Sequence, residues 1–175
     1  MFVPMISKTI LAASLVAVIS ASVILPAMAT SFASWQSVTG SSVTARNDKT
    51  TTLSVQASDI VPRHTSLAAG FAWIYSGGPD TAFVVVTHDG LRDSAQNPDG
   101  WHVHSVLLGG TPSVSNACIL GASPDTNAGI SIQGNTINVN VRNSEFTSSL
   151  SGTVVGFSVV QDSACGSGLG VDIVP

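Results

Sequence analysis

Apolar and polar residues alternate along much of this chain. Leu53 and Val55 alternate with polar neighbours, and residues 129–144 contain two alternating arms separated by Gly134 and Asn135. Because successive side chains of a β-strand point to opposite faces, this period of two indicates strands with one buried face. Gly-Asn between two such arms is typical of a hairpin turn. The pattern therefore predicts an all-β fold.

A second hairpin is predicted from two runs rich in β-branched and aromatic residues, 71–75 and 81–88, which are joined by Ser-Gly-Gly-Pro-Asp. Further strands are predicted in residues 101–110, 152–165 and 170–175. With six to nine short antiparallel strands, residues 51–175 are expected to form a single β-sandwich or Greek-key barrel. Residues 30–50, rich in Ser and Thr, are expected to be either an N-terminal strand or a flexible lead.

The first 29 residues have the layout of a secretory signal peptide. Lys8 precedes a largely apolar run, and Pro26 is followed by Ala-Met-Ala, which predicts cleavage after Ala29. The protein is then expected outside the cytoplasm, either secreted or associated with the cell surface. The alternative is an uncleaved membrane anchor, because the apolar run is about as long as a bilayer-spanning helix. No later segment is long and apolar enough to span a membrane.

The composition excludes one class of partner. Charged residues make up 9% of the chain, against about 25% in typical soluble domains. Beyond the signal segment, five Lys and Arg face ten Asp and Glu, and the cations are scattered. No basic patch is available to neutralise phosphates, so nucleic acid is not an expected partner. The sequence does not indicate an oligomeric state.

Cysteine usage agrees with export. The chain has two cysteines, Cys118 and Cys165, separated by 46 residues. In an oxidising compartment such a pair is expected to form a disulfide, and closing a loop of this length stabilises the fold by on the order of 4 kcal/mol in the chain-entropy model. A two-cysteine metal or redox site is the alternative, although the close Cys-x-x-Cys spacing is absent.

The sharpest chemical signal is a cluster of histidines. The chain has four, and His88, His102 and His104 fall within seventeen residues. Because residues i and i+2 of a strand share a face, His102 and His104 are expected side by side. If the strand ending at His88 pairs antiparallel with the next one, across the loop of residues 89–100, His88 lies near His102. Three imidazoles suit copper or zinc.

Other residues are expected to assist the site. Asp89 or Asp99 is a possible oxygen ligand, or an acceptor that orients an imidazole N–H. His64 is a possible fourth ligand. The alternative is that the histidines are incidental, as polar tips bonded to a backbone carbonyl or to a carboxylate.

Two short stretches resemble a known family. Gly100-Trp101-His102-Val103-His104 resembles the Gly-Phe-His-Val-His strand of the copper/zinc superoxide dismutases, and Ala-Cys-Gly around Cys165 is similar to that family's second half-cystine. The resemblance implies a Greek-key barrel with His102 and His104 as copper ligands. The family's zinc loop, bridging imidazole and late copper ligand have no counterpart here. Chordin-type domains with a His-x-His strand are an equally loose analogue.

These observations lead to three expected functions. The first is a secreted β-sandwich protein that binds or delivers a metal, copper before zinc, through His88, His102 and His104. The second, from a different class, is a non-catalytic extracellular structural or adhesion domain. The third is a dismutase-like, copper-dependent oxidoreductase, which is implied only by the resemblance.

Overall fold

The structure, a computed structural model, describes residues 32–88 and 100–175. The strands in these ranges are β1 (Val38–Ala45), β2 (Thr50–Ala57), β3 (Ala69–Tyr75), β4 (Ala82–Thr87), β5 (His102–Gly109), β6 (Ala117–Ala122), β7 (Gly129–Gln133), β8 (Thr136–Arg142), β9 (Leu150–Gln161) and β10 (Leu169–Ile173). The all-β prediction is confirmed, with ten strands rather than six to nine. No helix in the described ranges has the length and apolar character needed to cross a membrane.

The strands form two units. One is a four-stranded sheet in the order β1-β2-β8-β7, and the other is a closed six-stranded barrel in the order β10-β6-β5-β4-β3-β9. Every pairing within them is antiparallel. The architecture therefore combines the two predicted alternatives, because the sheet packs as a sandwich layer against one wall of the barrel.

The β7–β8 hairpin forms where the sequence predicts it. Gln133 pairs with Thr136, which leaves Gly134 and Asn135 as a two-residue loop. Gly134 has φ +61°, as the first central position of a type II′ turn requires. Along β8, Val139 is buried while its neighbour Asn140 is half-buried on the other face. The predicted sheet with one wetter face is therefore confirmed.

The layer between sheet and barrel wall is a large apolar cluster, here called the sandwich core. Its fully buried side chains come from the sheet and from the outward face of the barrel: Leu53, Val55, Ile137 and Val139 from the former, and Phe71, Trp73, Phe83, Val85 and Val103 from the latter. Trp35 and Trp101 close one side, with ring centroids 5.8 Å apart in an edge-to-face arrangement.

The opposite faces of the same strands line the inside of the barrel. Ala72, Val84, Val86, Val106, Phe157 and Val171 form this second buried cluster. Because side chains alternate along a strand, each barrel strand next to the sheet serves both clusters. That is why β4 reads as the uninterrupted apolar run Ala-Phe-Val-Val-Val and is buried at every position.

The N-terminal part of the described chain belongs to the fold. β1 pairs with β2 along its length, so the described part of the segment 30–50 contains the predicted N-terminal strand and is not a flexible lead. Just before it, Gln36 is fully buried and its side-chain amide donates hydrogen bonds to the Phe157 carbonyl at 2.9 Å and to Ser158 Oγ at 2.7 Å. A side chain at Gly156 would collide with the Gln36 carbonyl, which explains the glycine there.

The barrel closes through a short seam between β6 and β10. Only two residue pairs join these strands, Gly170 with Cys118 and Val171 with Ala117. The predicted disulfide between Cys118 and Cys165 is present beside this seam, and it indicates an oxidising environment. β6 itself, in the sequence Ala-Cys-Ile-Leu-Gly-Ala, was not among the predicted strands, because it has no run of alternating apolar and polar residues.

Candidate functional site

Two neighbouring barrel strands bring three histidines together. β4 and β5 pair antiparallel, with Val86 opposite His102 and Val84 opposite His104. His88 follows the last residue of β4, so it lies at the same end of the barrel as His102. The predicted antiparallel pairing is confirmed. The three side chains, here called the histidine group, are buried, with relative exposures of 4% for His88, 2% for His102 and 5% for His104.

The rings of the histidine group are in contact. The ring centroids of His88 and His102 are 4.7 Å apart with the planes at 81°, and those of His102 and His104 are 4.9 Å apart at 88°. Two imidazoles that ligate one ion at about 2.0–2.1 Å have centroids roughly 4.5–5.2 Å apart when the angle at the metal is about 90–109°. The spacing of the group falls within that range.

Backbone carbonyls determine the tautomer of two members of the group. Nδ1 of His102 lies 2.8 Å from the carbonyl oxygen of Gly100, and Nδ1 of His104 lies 2.7 Å from that of Ser123. A carbonyl oxygen only accepts hydrogen bonds, so in both rings Nδ1 carries the proton and donates it. In the neutral ring the lone pair is therefore on Nε2, the nitrogen that faces away from the carbonyl.

The acceptor for His104 is itself held in place. The chain after β6 runs back along β5, where Ser123 N–H donates to the Ser105 carbonyl at 2.8 Å and Ser105 N–H donates to Ser123 Oγ at 2.9 Å. On the far face of β5, the Ser105 hydroxyl is hydrogen-bonded to the Tyr75 hydroxyl at 2.9 Å. These bonds fix the Ser123 carbonyl and, through it, the orientation of the His104 ring.

The arrangement is not a ready-made metal cage. Within residues 32–88 and 100–175, no group of three or more His, Cys, Asp or Glu side chains is arranged to hold a metal ion. The ring planes of the histidine group are nearly perpendicular, at 81° and 88°, an orientation that neither favours nor prevents ligation of one ion. Asp89 and Asp99, the predicted oxygen ligands, lie outside the described residues.

His64, the possible fourth ligand, lies in a different part of the molecule. It is exposed in the connection between β2 and β3, where it lines an open cleft together with Arg63, Trp101 and residues of β7. Trp101 points to the sandwich side of the barrel wall and not into the barrel. The structure thus places His64 apart from the cavity that His88 and His104 line.

Sequence reasoning identified the three histidines but not their acceptors. The groups that fix the tautomers are the main-chain carbonyls of Gly100 and Ser123, and a main-chain acceptor leaves no mark on residue type. The position of Ser123, 19 residues beyond His104, depends on how β6 and the following segment return along β5. No local pattern in the sequence encodes that return.

No protein-family model, curated protein or solved structure matches this chain.

Proposed function

We propose that this is an extracytoplasmic copper-binding protein, which holds one ion with the imidazoles of His88, His102 and His104. The observation that carries the proposal is the pair of hydrogen bonds from Nδ1 to backbone carbonyls in His102 and His104. Metal-ligating histidines characteristically donate their other ring N–H to a carbonyl or carboxylate, which fixes the tautomer and makes the ligating nitrogen more basic. Two adjacent rings in this state supply two Nε2 donors.

The third ligand in this proposal is His88, whose ring is in contact with His102. The centroid separations of 4.7 and 4.9 Å match those of imidazoles that share one ion. Asp89 or Asp99, in the segment between β4 and β5, is the proposed oxygen ligand or acceptor. Copper is preferred to zinc because Cu²⁺ binds nitrogen ligands more tightly than the other divalent first-row ions.

The proposed activity is binding or delivery of the copper ion rather than catalysis. The chain contains four histidines, and the fourth, His64, lines a separate cleft, so the described residues offer no further imidazole for a second metal or a bridge. Export is part of the proposal and is supported by the character of residues 1–29 and by the Cys118–Cys165 disulfide.

A second candidate is favoured by one specific observation. Edge-to-face contacts between aromatic rings are themselves a stable packing arrangement, and the histidine group has interplanar angles of 81° and 88°. In this alternative the protein is a structural or adhesion domain in which three imidazoles fill one end of the barrel and bind nothing.

Calorimetric titration with Cu(II) and Zn(II) separates the two candidates. We expect the purified protein to bind one Cu(II) per chain more tightly than Zn(II), with nitrogen couplings in the electron paramagnetic resonance spectrum. In the double variant His102→Ala/His104→Ala we expect at least a tenfold loss of affinity, since even residues that only orient a ligand contribute about 10–100-fold.

The matched control is His64→Ala, which removes an exposed imidazole outside the histidine group and should leave copper binding unchanged. Circular dichroism establishes that each variant is folded. Equal affinity in the wild type and in a folded double variant would overturn the metal proposal, as would loss of binding in His64→Ala alone. Superoxide consumption by the copper-loaded protein tests the dismutase-like function separately.

A further inference from the structure

The barrel contains a cavity of about 170 Å³ that is partly open to solvent. Each of the six barrel strands contributes at least two lining residues, and His88 and Ala68 lie at its edge. The lining consists of aliphatic side chains, Phe157 and the imidazoles of His88 and His104. Among the described lining residues none carries a carboxylate, an ammonium or a guanidinium group. The cavity is thus an apolar chamber with two aromatic nitrogen rings at one end.

The cavity is space that larger side chains would fill in a densely packed core. Natural cores are packed as densely as organic crystals and have few voids larger than a water molecule. Larger side chains at Ala72 or Ala82, which line the cavity and are buried, would fill part of it and recover the missing dispersion contacts. The chain has small residues there, although the other faces of the same two strands have Phe71, Trp73 and Phe83.

The size and lining of the cavity define what it can hold. Water needs two to four polar partners to be held firmly in a cavity, and an enclosed apolar cavity of about 150 Å³ is large enough to bind benzene. We propose that the barrel cavity binds a single-ring aromatic molecule of the size of benzene or toluene. Phe157 and the imidazoles of His88 and His104 provide edge and face contacts for such a ring. This proposal does not depend on metal binding.

The structure also indicates where a ligand enters. The lining residues on β4 are buried, whereas Ala122 on β6 is exposed and Ile173 on β10 is 40% exposed. These two strands share the shortest pairing in the barrel, which consists of two residue pairs. The seam between β6 and β10 is therefore the least protected wall of the cavity and is the proposed entrance.

Titration with toluene tests the proposal. With a chelator present to remove metal, we expect saturable 1:1 binding and nuclear Overhauser effects from toluene protons to methyl groups of Val84, Val86 and Val106 inside the barrel. We expect none to Val55 or Val139 in the sandwich core. Because these contacts locate the ligand in the wild-type protein, they do not depend on the folding of any variant.

Variants that fill the cavity provide a second test of toluene binding. Ala72→Leu should weaken toluene binding at least tenfold, and Ala72→Val serves the same purpose if the leucine variant does not fold. Ala45→Leu adds the same atoms at an exposed position of β1 and should leave binding unchanged. The proposal is overturned by the absence of saturable binding, by contacts to the sandwich core alone, or by a folded cavity-filled variant that binds as tightly as the wild type.

Discussion

The two faces of β4 pack into very different surroundings. Phe83 and Val85 face the sandwich core, where both are completely buried and where Phe83 also packs edge to face on Phe146 with ring centroids 5.1 Å apart. Val84 and Val86, on the other face, line a cavity of about 170 Å³ together with His88. One strand thus contributes to a filled core and to a chamber that retains space.

The two faces of this barrel wall therefore differ in what they contribute to the protein. The sandwich core has large aromatic and β-branched side chains that fit against one another, which is what a uniquely packed native state requires. The barrel interior has aliphatic side chains, Phe157 and neighbouring imidazoles around a cavity that they leave unfilled. Both proposed activities therefore lie on the face of the wall that lines the cavity, while the backbone pairing of β4 with β5 holds the two strands in register.

The difference in packing is tested most directly by the same substitution, phenylalanine to alanine, in the sandwich core and in the wall of the cavity. Phe71→Ala in the sandwich core should lower the free energy of unfolding by about 3–5 kcal/mol, the usual cost of deleting a buried phenylalanine. Phe157→Ala, in the wall of the cavity, should lower the free energy of unfolding by less than about 3 kcal/mol. Phe157 already faces space on one side, so fewer contacts are lost. Urea-induced unfolding of both variants measures the difference.

The control for this comparison is the slope of the free energy of unfolding against urea concentration. An unchanged slope shows that the unfolded states of the two variants are equivalent. Equal costs for Phe71→Ala and Phe157→Ala would show that the barrel interior is packed as tightly as the sandwich core, and the comparison would then be wrong.

The sequence predicts the face that each residue occupies better than it predicts the space around it. Alternation alone places His102, His104 and Val106 on one face of β5 and Trp101 and Val103 on the other, and the structure confirms this assignment. The β7–β8 hairpin was predictable for a similar reason, because Gly-Asn at a two-residue turn is a local signal.

The cavity and the barrel closure were not predictable in this way. Closure depends on β6 pairing with β10, about fifty residues away, through only two residue pairs. The cavity exists because all six strands place modest side chains around a common axis. Both properties depend on residues that are far apart in the chain, so no short segment of the sequence predicts them. The antiparallel contact of His88 with His102 was predictable because a single connection joins β4 to β5.

Removing the disulfide tests how much it stabilises the seam between β6 and β10. The Cys118–Cys165 link closes a loop with a sequence separation of 47, and Cys118→Ala/Cys165→Ala should lower the free energy of unfolding by about 2–4 kcal/mol. We expect hydrogen exchange to accelerate most at the β6–β10 seam, for example at Val171 and Asn116, whose N–H donates to the Val171 carbonyl at 3.0 Å. Amides of β2 and β8 should change least.

Chemical reduction of the wild-type protein provides a control that leaves the sequence intact and should reproduce the same pattern of exchange. Uniform acceleration across the sheet and the barrel would contradict the view that the seam is the weakest part of the molecule.

The smallest expected effect depends on pH and involves Asp162, a buried carboxylate next to the seam. Hydrogen bonds from the Ser113 hydroxyl, the Val114 N–H, the Ala164 N–H and the Ser115 hydroxyl hold the pKa of Asp162 well below its ordinary value, although burial opposes this. The carboxylate thereby ties the segment before β6 to the turn after β9. Its sequence context, Gln-Asp-Ser-Ala-Cys, does not indicate this role.

Because the pKa is depressed in the folded state, ionised Asp162 stabilises the protein fully above the pKa of an unfolded aspartate, about 3.9, and this contribution is lost as pH falls from there towards the folded pKa. Asp162→Asn should therefore be less stable than the wild type at pH 6. The gap, which is the difference in free energy of unfolding between the two proteins, should narrow between about pH 4 and pH 2. Urea unfolding across this range measures the gap. Asp59→Asn is the matched control, since the exposed Asp59 accepts hydrogen bonds from only the Ser34 hydroxyl and the Ile60 N–H, and its gap should be smaller throughout. A gap for Asp162→Asn that stays constant with pH would mean that the carboxylate contributes by its shape and not by its charge, and that acid does not loosen the barrel at its seam.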